Sequence, residues 1–174
     1  DFTIVVRDAS GKAMTVSQPI SKRNALVLRS SISTVEAFKL PIIEEMAASL
    51  AAADPARGPH WAGNAAAILV DMMIDQAQHL IAGFDPWDLE SVQREHLRND
   101  IEGQHYSRFG DALAAVMVDA AGAALPKDIG GAWSDVFWAV IGRLRREDGY
   151  PSAPRSDRPD DVSSMMFAAA GEVK

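Results

Sequence analysis

Four histidines and no cysteine narrow the chemistry open to this chain of 174 residues. Thiolate ligands, thiol nucleophiles and disulfides are excluded. His60, His79, His96 and His105 show no spacing among themselves that would gather several imidazoles on one metal. His96 stands apart from the other three. It closes an amphipathic segment, Asp85 to Leu97, one helical turn beyond Val92 on the apolar face. An imidazole there can ligate a metal, move a proton, or sit as an ordinary satisfied core residue. Nine residues on (105 − 96) comes the pair His105-Tyr106, whose phenol can orient another ring by hydrogen bonding. The carboxylate pairs Glu44/Glu45, Glu147/Asp148 and Asp160/Asp161 read as solvated faces. No Gly-rich phosphate loop, nucleophile elbow or His-Glu-x-x-His motif is present.

The elements that must position His96 are helical. Alanine is abundant, while Val, Ile and the aromatics are scattered, which favours helix over sheet. Leu26, Leu28, Ile32, Val35 and Phe38 recur near helical spacing over 20–38, with Ser21 as N-cap. Pro41 suits the first turn of a second helix, which runs through Ile42, Ile43, Met46 and Leu50 and stops near Asp54-Pro55. Residues 54–62 read as a corner. Ala65, Ile68, Leu69, Met72, Met73 and Leu80 stripe a third helix over 62–82. Asp85 and Pro86 read as cap and first turn of the helix carrying His96, with Trp87, Leu89 and Val92 packed inward. Two longer helices follow over 105–124 and 127–148.

The ends differ from this pattern. Residues 1–18 contain two β-prone runs, Phe2–Val6 and Ala13–Val16, about a turn signal, and read as a hairpin or extended arm. Its exposed edge leaves a homodimer open. Residues 149–174, rich in Pro, Ser, Asp and Arg, read as an irregular tail in which Val162 to Ala170 is apolar enough to dock. A net charge of −7 with no basic stripe argues against nucleic acid. No apolar run reaches membrane-spanning length and no signal-peptide pattern appears, so a cytoplasmic protein without membrane contact is expected.

The order His96, nine residues, His105-Tyr106, then Gly110 and a long helix, resembles the proximal side of a bacterial globin of the flavohaemoglobin and single-domain haemoglobin type. Ala132-Trp133-Ser134-Asp135-Val136-Phe137 is similar to the Ala-Trp opening of the last helix in that family. The likeness spans roughly residues 20 to 148. It implies an all-α, three-over-three globin-like domain over 19–148, between the arm and the tail, that binds haem b.

By that resemblance His96 is the proximal iron ligand, with Tyr106 and Asp148 behind it as the groups that tune it. Trp61 takes the place of the Phe that wedges the haem, and Asn64 the distal gate. Ile68 and Leu69 line the distal side, Ile101 and Phe109 the proximal side, and Phe137 and Ile141 the last helix. The resemblance further implies a diatomic gas ligand (O₂, NO or CO) used for sensing, transport, or NO or peroxide handling. Ala47 stands where the family's distal Tyr belongs, which leaves that side poorer in hydrogen bonds. No flavin and nicotinamide reductase fits between residues 150 and 174, so NO-dioxygenase or peroxidase-like turnover implies a separate electron donor or a part of the protein outside this sequence. The rival readings are a haem-free globin-like sensor and a helical protein-interaction module.

Overall fold

A computed structural model describes residues 3–7, 13–17, 20–125 and 128–147. Asp148, the turn at 8–12 and the tail at 149–174 lie outside the described residues. The body is all helical. Six α-helices follow two short strands: β1 Thr3–Arg7, β2 Ala13–Ser17, α1 Lys22–Ala37, α2 Lys39–Ala53, α3 Gly58–Ile81, α4 Leu89–Arg98, α5 Gly103–Ala121 and α6 Ile129–Glu147. The strands pair antiparallel, Thr3 opposite Ser17 and Arg7 opposite Ala13. Among the described residues no helix is long and apolar enough to cross a membrane.

Helix α1 begins where its cap residue demands. Ser21 is extended, and its hydroxyl accepts the Asn24 N–H at 3.1 Å. Helix α2 starts at Lys39, two residues before Pro41, so the proline sits inside the first turn, where the backbone N–H has no helical partner anyway. Helix α3 takes in most of the expected corner. Gly58 carries φ +79°, Pro59 follows in the first turn, and Trp61 already lies on the helix.

The other end of α3 is a Schellman closure. Gly83 has φ +87° and donates its N–H to the Leu80 carbonyl at 3.0 Å, while Phe84 donates to the His79 carbonyl at 3.4 Å. The start of α4 differs from expectation. Asp85 and Pro86 do not open it; the helix begins at Leu89 behind Asp88, which is in the left-handed region at φ +49°. The cause is a side-chain clamp. Gln76, almost fully buried on α3, donates to the Trp87 carbonyl at 2.6 Å and accepts the Trp87 N–H at 2.8 Å. Both backbone groups of Trp87 are thereby taken out of any helix, and its indole is left 64% exposed instead of packing inward.

Helix α2 packs on α3 and α5, α5 on α6, and α1 across α3 and α6. One apolar core runs between them, centred on Trp133, Phe109 and Phe137, all fully buried. The Trp133 indole donates to the Ser31 hydroxyl at 3.1 Å, and that hydroxyl donates to the Val27 carbonyl at 2.7 Å, so neither buried polar group is stranded. Helix α4 is the outlier. It buries only Leu89 and His96 and touches mainly α6. Full burial of one apolar side chain stabilises by about 1.5–3 kcal/mol. With one such residue, α4 is held by its ends and by His96 rather than by an apolar face of its own.

Candidate functional site

The C-terminal end of α4 fixes His96. Asn99 ends the helix and Asp100 turns left-handed at φ +55°. The Ile101 N–H then reaches the His96 carbonyl at 2.9 Å, and the Asp100 N–H reaches Leu97 at 3.2 Å. This is a second Schellman closure, with an aspartate where glycine would sit without strain. It folds the chain back so that Ile101 lies buried beside the histidine and α5 can start two residues later. Tyr106, on the first turn of α5, is thus carried to the far side of the imidazole. Its hydroxyl lies 2.7 Å from His96 Nδ1.

His96 is 1% exposed, and its Nε2 is the one buried side-chain polar atom among the described residues with no hydrogen-bond partner. Burial pushes the imidazole down from the ordinary 6.5 to about 4, so the ring is neutral at neutral pH. A neutral ring has one N–H and one lone pair. With Nδ1–H donated to the phenol oxygen, the free lone pair is on Nε2, the form in which imidazole binds a metal. The ligand set stops there: among the described residues no group of three or more His, Asp or Glu is placed to hold a metal ion. A macrocycle that supplies four of the iron's ligands itself needs only one such nitrogen.

The other residues singled out from the sequence fall into two groups. Leu69, Ile101, Phe109, Phe137 and Ile141 are buried in the single core, Phe109 and Phe137 with ring centroids 4.7 Å apart, and Ile68 packs half-buried against it. Trp61 and Asn64, one turn apart on α3, turn instead to the connection after His96. The Trp61 indole donates to the Asn99 carbonyl at 2.9 Å, and the Asn64 amide to the Asn99 side-chain oxygen at 2.8 Å. Asp148 lies outside the described residues.

A polar hub below this latch was not legible in the sequence. Arg57 reaches Asp54 at 3.1 Å, Glu102 at 2.9 Å and Asp100 at 3.4 Å, and its guanidinium stacks 5.1 Å above Trp61. His105, also 1% exposed, accepts the Glu102 N–H at Nδ1 (2.9 Å) and faces Asp54 with Nε2 (3.4 Å). These contacts tie the start of α3 to the turn between α4 and α5.

Space around His96 is limited. A cleft of ≈580 Å³ lies between α3 and α4, with Ile68, Met72 and Val92 as its apolar part and Asp71, Asp75, Asp88 and Glu95 around it. A second, of ≈590 Å³, lies between α4, the following turn, α5 and the end of α6. Neither is lined by His96. The free lone pair on Nε2 is the kind of donor that would hold a haem iron, but Nε2 is covered by the protein and neither of these two clefts reaches it. No family model, curated protein or solved structure matches the chain.

Proposed function

We propose that this chain is a globin-like haem-binding domain of three-over-three type in which His96 Nε2 would hold the iron. The observation that carries the reading is the asymmetry of His96: one nitrogen is held at 2.7 Å by Tyr106, and the other is buried with no partner. An unsatisfied buried acceptor costs about 1–3 kcal/mol, a cost that a ligand offsets when it binds there. Tyr106 orients the ring through its hydrogen bond at Nδ1. Ile101, Phe109, Phe137, Ile141, Leu69 and Ile68 exclude water, and Trp61 and Asn64 close the α3 side through Asn99. Haem b, if bound, would be held by His96 and would supply an iron site for a diatomic gas. Any turnover of NO or peroxide needs a source of electrons. With Ala47 rather than a phenol on the opposite side, gas ligands there receive little hydrogen bonding. Residues 3–7 and 13–17, paired as a hairpin, serve as an N-terminal arm to the domain. Cytoplasmic location belongs to the same proposal.

A second reading, a haem-free globin-like sensor, has its own support: Nε2 has no accessible surface and neither cleft reaches it. Titration of the purified protein with hemin decides between the two. The haem reading expects saturable uptake and a Soret band that shifts with dithionite and CO and is lost in His96→Ala. Absence of saturable uptake overturns it in favour of the haem-free sensor.

A further inference from the structure

The cleft at the end of α6 is built differently from the one between α3 and α4. Leu97, Ile101 and the ring of Tyr106 give it apolar walls, and its ≈590 Å³ is in the range of small-molecule pockets. Leu97, which lines the cleft, is 67% exposed. One cation borders the cleft, Arg145 on the last turn of α6. Among the described residues no carboxylate pairs with its guanidinium. The carboxylate that also lines the cleft, Glu102, is held by Arg57 at 2.9 Å. Gly103 lies beside Arg145: a Cβ there would stand 3.9 Å from Nη2, at ordinary contact distance.

An apolar cleft with a single guanidinium at its edge has one best-matched ligand chemistry. A planar fork of N–H donors meets a carboxylate at two points, and apolar walls take up a hydrocarbon body. We propose that this cleft binds an apolar monocarboxylate, its carboxylate on Arg145 and its hydrocarbon part against Leu97, Ile101 and Tyr106. Tyr106, which lines the cleft, also holds His96 Nδ1 with its hydroxyl. A ligand packed on the phenol therefore acts on the orientation of the His96 ring, which makes the cleft an effector site. The proposal needs no haem and stands or falls separately from the haem reading.

Isothermal titration of the full chain with octanoate, phenylpropanoate and octan-1-ol tests it. Arg145 is exposed, so Arg145→Gln should fold, and circular dichroism checks that it does. The expected result is saturable binding of at least one of the two acids, weakened about tenfold or more by Arg145→Gln, a loss typical of a charge-assisted pair. Octan-1-ol should bind more weakly than octanoate and be indifferent to the substitution. Preference for one acid over the other tells whether the body recognised is aliphatic or aromatic. Failure of both acids to saturate overturns the proposal, and so does equal binding of the preferred acid by parent and Arg145→Gln. Hemin uptake, measured in parallel, reports on the other reading alone.

Discussion

His96 and His105 stand nine residues apart, each 1% exposed, each against an aromatic ring of a neighbouring segment. By residue type and burial they are equivalent. Their hydrogen bonds differ. His105 uses both nitrogens: Nδ1 accepts the Glu102 N–H, which places its own proton on Nε2, and that nitrogen faces Asp54. It closes the start of α5 in the manner of a capping box and joins the Arg57 hub. His96 uses one nitrogen, and the other has no partner. Burial alone thus says little about a histidine's role. A buried ring whose hydrogen bonds are complete is part of the scaffold, and one left open by a scaffold that satisfies its neighbour is a candidate for a ligand.

Acid should separate the two most strongly. The folded-state pKa of His96 is lowered to about 4 from 6.5. Between those values the unfolded chain takes up a proton that the folded chain refuses. Stability due to this group is therefore intact above pH 6.5, falls as the pH drops, and is lost completely below about 4. The full loss amounts to about 3 kcal/mol in urea unfolding measured at both ends of that window. In His96→Leu this part of the pH dependence should vanish. If it persists, another group carries it and His96 is not the buried neutral ring described.

The next effect is a reversal of the usual expectation for buried residues. His105→Leu leaves the Glu102 N–H without its partner and leaves Asp54 with Arg57 alone, and should cost about 2 kcal/mol. His96→Leu removes an unpartnered atom and one bond to Tyr106, so the protein without ligand should stay within about 1 kcal/mol of the parent. Equal losses in the two variants would erase the distinction between them. A larger loss for His96→Leu would show that Nε2 has a partner after all.

The proximal half of this arrangement was legible because it is local. Ser21 as cap and the apolar stripes of α1, α3, α5 and α6 follow from spacing along helices, and the approach of Tyr106 to His96 was implied by the resemblance across one short turn. The features that were not legible depend on contacts across the fold. Gln76 reaches eleven residues ahead to hold Trp87, so Asp85 and Pro86, good helix-starting residues in isolation, start nothing. Leu26 fits the stripe of α1 yet is 65% exposed, because the spacing of apolar residues marks a broader face than the one α3 and α6 cover. Trp61 and Asn64 turn to Asn99, a partner 38 and 35 residues away that no local pattern designates. The resemblance to globins located the histidine, but whether side chains leave space over it is a property of packing.

The smallest effect concerns what fixes each ring. In His105 the tautomer is set by a backbone N–H, which no side-chain substitution at position 106 removes. At His96 the one hydrogen bond to a ring nitrogen among the described residues is to the Tyr106 hydroxyl, which can donate or accept. Tyr106→Phe keeps the half-buried ring in place and deletes only that oxygen. The cost should be about 1 kcal/mol, the net worth of one hydrogen bond. The sharper readout is the ¹⁵N spectrum of the two histidines at neutral pH. In the parent both rings should show single tautomers, with the proton on Nδ1 for His96 and on Nε2 for His105. In Tyr106→Phe the His96 signals should move toward the average of two tautomers while those of His105 stay put. A His96 tautomer unchanged by the loss of the phenol would mean that something other than Tyr106 orients the ring. The open lone pair on Nε2 would then not be the work of this contact.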